Sequence, residues 1–243
     1  MAQYGIRFGV ANSQAPVPYW RKKMSSRPVS TPIAGVGEGR QSVVYVIDDD
    51  ESMRIAMTNL LASFGLHVET FASPREFLAF PRTDIPSCLI LDVRLRGESG
   101  LAFQQESLKS DLRMPVLFMT GYGDVSMSVR AMKAGALDFF TKPFRDQDML
   151  DAVVHALARD HERLVAEQSL VALRSAYESL SLREREVMSY VITGLLNKQI
   201  ASAMNIREVT VKIHRGQVMK KMAARSIAGL VRMAAALGVE PAA

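Results

Sequence analysis

The chain has 243 residues, 48% of them apolar and 23% charged, with a formal net charge of +5 and a single cysteine. That length and apolar content suffice for one sizeable core or two modest ones, and they exclude a disulfide framework. No apolar run approaches the roughly 20 residues that a membrane helix needs, and the first residues lack the basic-then-apolar order of a secretory signal, so a soluble, cytoplasmic protein without a membrane partner is expected.

Residues 1–41 mix Gly, Pro, Ser and basic residues with no sustained period, the composition of a disordered extension, within which Met24 is a candidate alternative start. From Val43 onward, short apolar runs alternate with segments of helical spacing, the rhythm of βα units around a parallel sheet. Strands are expected near 43–48, 67–71, 87–91, 115–119 and 137–141. Helices are expected at 52–64, 74–80, 100–109 and 124–134, with Gly65 and Gly135 as C-terminal stops. Asp49, Asp50 or Ser52 is suited to cap the first of these helices. Cys88 falls inside a strand, where small apolar packing is its expected role.

A further helix is expected after Asp146, read as its N-cap, with Leu150, Val153, Val154 and Leu157 making its apolar face. Apolar spacing returns at Leu164, Leu170, Leu173, Tyr177 and Leu180, so this stretch is one extended helix or a helical linker. A coiled coil fits less well, because His161, Gln168 and Ser175 would take a core position of the heptad. Residues 181–237 divide into four short helices near 183–193, 197–204, 207–222 and 226–237, with Gly194 and Asn205 in the breaks. Residues 181–243 carry ten basic against four acidic side chains, whereas 146–180 carry three against seven. The last part of the chain is therefore the part suited to a polyanionic partner.

In a parallel sheet, residues at the carboxyl ends of strands gather along one edge. Here those ends read Asp48-Asp49, Asp92, Thr120 and Lys142-Pro143. Three close carboxylates repel one another and need a cation, and hard oxygen ligands suit Mg²⁺. In such a group Asp92 is the candidate nucleophile that accepts a phosphoryl group, Lys142 supplies positive charge, and Thr120 can donate to a phosphoryl oxygen. A lone Asp after a strand is commonly just a turn or cap residue; four such groups in this order are not. Winding residues 207–222 at about 100° per residue puts Val211, Val218 and Met222 on one side. Val209, Lys212, Ile213, Gly216, Gln217 and Lys220 then point away from it, a face suited to a major groove.

Residues 43 to about 160 resemble the receiver domain of two-component response regulators through Val46-Ile47-Asp48-Asp49, Met53-Arg54, Ile90-Leu91-Asp92, Thr120-Gly121, Lys133-Ala134-Gly135-Ala136 and Lys142-Pro143-Phe144. Ser181-Leu182-Arg183-Glu184-Arg185-Glu186-Val187, Gly194, Asn197-Lys198-Gln199-Ile200-Ala201 and Thr210-Val211-Lys212-Ile213-His214 resemble the LuxR-type DNA-binding domain. Together they make the chain similar to FixJ/NarL-type response regulators, the FixJ branch above all. The resemblance implies a five-stranded, doubly wound, flavodoxin-like α/β receiver over 42–160, a helical linker over 161–180 and an all-α four-helix, helix-turn-helix domain over 181–243.

It further implies that Asp48, Asp49, Asp92 and the backbone carbonyl of Arg94 hold Mg²⁺, that Pro143 is cis, and that Phe139 is a switch aromatic acting with Thr120. Segment 125–141 would pair two receivers into a homodimer after a sensor histidine kinase phosphorylates Asp92. Lys198, Thr210 and Lys212 would touch the DNA backbone, while Ile213, Arg215, Gly216, Gln217 and Lys220 lie on or beside the face turned to the operator bases; RNA polymerase is a further expected partner. One departure stands out: Leu95-Arg96 replaces the family's usual apolar-Pro pair, placing a second guanidinium beside Arg94. The rival readings are a phosphorylation-independent LuxR-type regulator with a degenerate receiver, a Mg²⁺-dependent phosphohydrolase, and a sigma-like promoter reader.

Overall fold

A computed structural model of the chain describes residues 42–96, 98–107, 112–121 and 125–242. The extension expected over residues 1–41 lies outside the described residues.

Five strands form one parallel sheet: β1 (Val43–Ile47), β2 (His67–Phe71), β3 (Ser87–Asp92), β4 (Val116–Thr120) and β5 (Asp138–Thr141), in the order β2-β1-β3-β4-β5. The three inner strands are buried along their whole length, which is why they read in sequence as unbroken apolar runs. Alternation then splits their side chains between two layers. Tyr45, Ile47, Leu89, Leu91 and Phe118 pack with Phe77 of α2 (Pro74–Ala79), Phe103 of α3 (Gly100–Ser107) and Ala131 of α4 (Val125–Lys133). Val44, Val46, Ile90, Leu117 and Met119 pack with Met57 and Leu61 of α1 (Glu51–Ala62) and with Met149, Leu150, Val153 and Leu157 of α5 (Asp146–Glu178). Helices on both faces bury the inner strands along their length and leave chemistry to the loops at their ends. Cys88 is fully buried in the second layer, and burial pushes its thiol pKa up, so it remains a protonated packing group.

Local signals set the connections. Asp50 caps α1 by accepting from the Ser52 amide, and Ser73 caps α2, with Pro74 just inside it. Gly65 and Gly135 take φ of +78° and +86°, a left-handed conformation that side chains resist. The expected N-cap at Asp146 is corrected by one residue: Arg145 is the N-cap and makes no side-chain cap bond. Asp146 and Asp148 instead stand in the first turn, where their charge favours the helix dipole. A short antiparallel ladder, Arg94–Leu95 with Glu98–Ser99, which the apolar pattern does not announce, shapes the turn after β3.

α5 runs for 33 residues without a break, so the extended-helix alternative holds. Midway along it Asp160, 1% exposed, accepts hydrogen bonds from the Ser87 amide at 2.9 Å and from Arg163 Nε at 2.8 Å. Arg163 also reaches Glu167 at 2.7 Å, and Glu167 is met at 3.1 Å by Arg113, which precedes β4. This chain of ion pairs fastens the helix to the amino-terminal edge of the sheet.

Beyond α5 lie α6 (Leu182–Val191), α7 (Asn197–Met204), α8 (Glu208–Lys221) and α9 (Ile227–Leu237). They enclose a separate core of Val187, Met188, Val191, Ile200, Val211, Val218 and Leu230, against which Leu173 and Tyr177 of α5 pack. α6 opens on a capping box between Ser181 and Glu184, and Asn205, at φ 52°, turns the chain between α7 and α8.

Candidate functional site

The register aligns Ile47 with Leu91, Asp92 with Met119 and Thr120 with Thr141, so the residues following or closing four strands meet at one edge. Asp48, Asp49 and Asp92 each place a carboxylate oxygen within 4.8 Å of the others. Lys142 joins two of them: its Nζ lies 2.6 Å from Asp48 Oδ2 and 2.8 Å from Asp92 Oδ2. The second oxygens are held by backbone amides, Asp48 Oδ1 by Asp50 at 2.8 Å and Asp92 Oδ1 by Arg94 at 2.9 Å. Asp49 pairs instead with Arg96, Nε to Oδ2, at 2.9 Å.

Burial pushes the Asp48 carboxyl up, against the Lys142 and Asp50 hydrogen bonds that favour its charge, and it stays above the usual carboxylate value. Burial acts on Lys142 in the opposite sense, but its bonds to Asp48 and Asp92 outweigh that and hold the ammonium above its ordinary value. Lys142 is therefore a fixed positive charge at neutral pH. Three hard carboxylate oxygens in one cluster also fit a small hard cation such as Mg²⁺.

Thr120 is fully buried at the end of β4, and its carbonyl accepts from the Lys142 amide at 2.7 Å, in front of a cis Lys142–Pro143 bond. Phe139 stands opposite Phe118 in the ladder and packs, half-buried, on the aromatic layer. The sequence-expected groups Asp48, Asp49, Asp92 and Lys142 thus come together directly, with Thr120 at the adjoining strand end.

Sequence reasoning assigned no role to two further residues. Arg54 donates from Nη1 to the Asp48 carbonyl at 2.7 Å, fixing the backbone that carries the first carboxylates. Gly100 lies so close beneath Asp92 that a Cβ there would strike the Asp92 carbonyl oxygen and approach Leu91 Cγ to 3.2 Å. Glycine at the start of a predicted helix, where it weakens the helix, was the available signal for that close approach.

In the second core, Val211 and Val218 of α8 and Met222 just after it are buried, while Lys212, Gly216, Gln217 and Lys220 are exposed beside Val209 and Ile213, which are 60% and 59% exposed. Lys198 is exposed on α7 and Thr210 is half-buried at the start of α8. Arg215 sits on the flank, donating to Asn197 Oδ1 at 2.8 Å and so tying α8 to the first residue of α7. Gly216 has open space before it. At the other end of α8, Lys221 donates to Glu184 Oε2 at 2.7 Å and to the Ser179 carbonyl at 3.1 Å.

Residues 44–154 match the response regulator receiver domain, and residues 178–234 match the bacterial regulatory proteins of the luxR family. Over 199 residues the chain is 52% identical to Nodulation protein W of Bradyrhizobium diazoefficiens, covering 82% of this chain and 88% of that protein. The chain is a response regulator of this family. The response regulator is also 41% identical over 199 residues to the transcriptional regulatory protein FixJ of Azorhizobium caulinodans, covering 82% and 94% of the two chains. The solved structure of the response regulator StyR matches it with a TM-score of 0.74 at 42% identity, covering 80% of this chain and 98% of that one. It is accordingly a transcription regulator that joins a receiver to a LuxR-type DNA-binding domain. Among its described residues no helix is long and apolar enough to cross a membrane.

Proposed function

We propose that this response regulator accepts a phosphoryl group on Asp92 from a sensor histidine kinase, and that the modified receiver pairs with a second copy to bind an operator. The observation that carries this reading is the placement of Asp92 Oδ2 on the Lys142 ammonium, beside two further carboxylates. An Asp92 oxygen attacks phosphorus, the O–P bond forms as the N–P bond to the donor imidazole breaks, and the bonding pair leaves on that nitrogen. Lys142, freed from one carboxylate, balances the charge on the transferred group, and the Thr120 hydroxyl donates to one of its oxygens. Mg²⁺ held by Asp48, Asp49, Asp92 and the Arg94 carbonyl would neutralise phosphoryl charge during transfer. Gly100 keeps the Asp92 backbone seated while this happens.

As Thr120 is drawn to the new group, Phe139 turns into the space behind it, altering the face of α4 and β5 on which Val129 and Met132 stand about half-exposed. Two copies meeting there carry two helix-turn-helix units. Linkage of this kind raises apparent affinity by about 10²–10⁴ without a new DNA contact. Receiver residues 42–160, linker 161–180 and DNA-binding residues 181–243 are the working divisions. Lys198, Thr210 and Lys212 hold phosphates, and Ile213, Gly216, Gln217 and Lys220 face bases, with Arg215 bracing the helix from Asn197. RNA polymerase, in the cytoplasm, is the machinery acted upon.

The test is incubation with acetyl phosphate and Mg²⁺, followed by intact mass and sedimentation. Wild type gains one phosphoryl mass and sediments as a dimer, while Asp92→Asn does neither. Equal phosphate uptake by Asp92→Asn would overturn the assignment. Operator binding that is tight without phosphate and unchanged in Asp92→Asn would establish the phosphorylation-independent reading instead.

A further inference from the structure

The three carboxylates of the strand-end cluster do not share their positive partners equally. Lys142, half-buried, serves both Asp48 and Asp92, whereas Asp49 is paired with Arg96. Arg96 lies in the turn of the short ladder between Arg94–Leu95 and Glu98–Ser99, and its side chain is 88% exposed while Asp49 is 24% exposed. The guanidinium reaches in from solvent and takes an oxygen of the outermost carboxylate.

We propose that Arg96 is a built-in competitor for the divalent cation at Asp49, so that cation loading is coupled to release of the 94–99 turn. The inference rests on reading Asp48, Asp49 and Asp92 as the cation site. A dication that takes the same Asp49 oxygen displaces Arg96, and one that takes the other oxygen sits beside its positive charge; either effect opposes loading. Neither is large, because an exposed pair is screened by solvent and salt. The geometry therefore sets a tuning effect: loss of the guanidinium tightens cation binding about two- to fivefold. Once released, Arg96 and the ladder that carries it regain freedom, so the turn that follows the phosphoryl acceptor reports whether the cation is in place.

The experiment is calorimetric titration of Mg²⁺ into the full-length wild type, Arg96→Gln, Arg96→Lys and Asp49→Asn, at low and high salt, with amide exchange followed over the 94–99 turn. Arg96→Gln removes the charge and keeps a polar amide; it binds Mg²⁺ about two- to fivefold tighter than wild type at low salt, and the gap narrows at high salt. Arg96→Lys restores most of the wild-type affinity. Exchange over the turn rises on Mg²⁺ addition in wild type and is already high in Arg96→Gln. Equal or weaker binding by Arg96→Gln, or a gap indifferent to salt, overturns the competition while leaving the cation site intact. No saturable Mg²⁺ binding in wild type, or binding undiminished in Asp49→Asn, overturns the cation site and the competition with it.

Discussion

Replacing Asp160 by alanine removes the acceptor that seats α5 on the start of β3. The Ser87 amide would be left buried without its 2.9 Å partner, at a cost of about 1–3 kcal/mol. Breaking a fully buried ion pair costs about 3–5 kcal/mol, but Arg163 is 30% exposed and keeps its 2.7 Å bond to Glu167, so only part of that applies. The combined loss is about 2–4 kcal/mol. Asp160→Asn retains an oxygen for the Ser87 amide and loses the charge, which lowers the loss to about 1–2 kcal/mol. Amide exchange by mass spectrometry over the peptide spanning β3 reads the difference directly, since each 1.4 kcal/mol is a factor of about ten. The alanine variant is expected to exchange there roughly 30- to 700-fold faster than wild type, with the asparagine variant between them. Unchanged exchange over β3 in Asp160→Ala would show that the carboxylate is not what fastens the helix.

Glu184 makes a pH prediction. Its hydrogen bond from Lys221, helped by the Ser181 amide, holds its carboxyl below the usual carboxylate range. A carboxyl lowered on folding adds stability above its unfolded value and loses it as pH falls through the folded one. The thermal-stability gap between wild type and Glu184→Gln is therefore widest near neutral pH and closes under acid; a gap that grows on acidification would refute the pairing. Gly216→Ala should raise the stability of the α6–α9 unit by about 0.5–1 kcal/mol, because glycine weakens a helix interior and an added Cβ meets nothing within 4 Å. A lowered far-UV urea midpoint would contradict that.

The inner strands were readable from sequence because burial on both faces leaves their middles apolar, with polar groups at or just past their ends, as where Leu91 gives way to Asp92. That is also why Asp48, Asp92, Thr120 and Lys142 could be expected at one sheet edge from sequence. The buried side of α8 followed from period alone. Other features depend on partners remote in sequence. Asp160 looks like an ordinary acidic position on a wet helix, because Ser87 is 73 residues away, and Arg113 is 54 residues from Glu167. Gly100 acts through the Asp92 carbonyl, a contact whose one local hint is the glycine itself and whose partner the local pattern does not name. The polar residues that argued against a coiled coil in the middle of α5 left open whether the helix was continuous. Its continuity comes from the sheet packing at one end, the second core at the other, and the Asp160 anchorage between.

The unbroken course of α5 carries an angular consequence. Thirty-three residues at 1.5 Å each make a rod of about 50 Å, and each residue added or removed turns whatever follows by about 100°. Between its Asp160 anchorage and the second core at Leu173, length is therefore also phase. A single-residue deletion there would swing the exposed face of α8, the one proposed to meet DNA, to a different bearing about the rod, whereas seven residues, close to two whole turns, would nearly restore it. Relatives that keep this continuous helix are expected to differ in this stretch by near-whole turns.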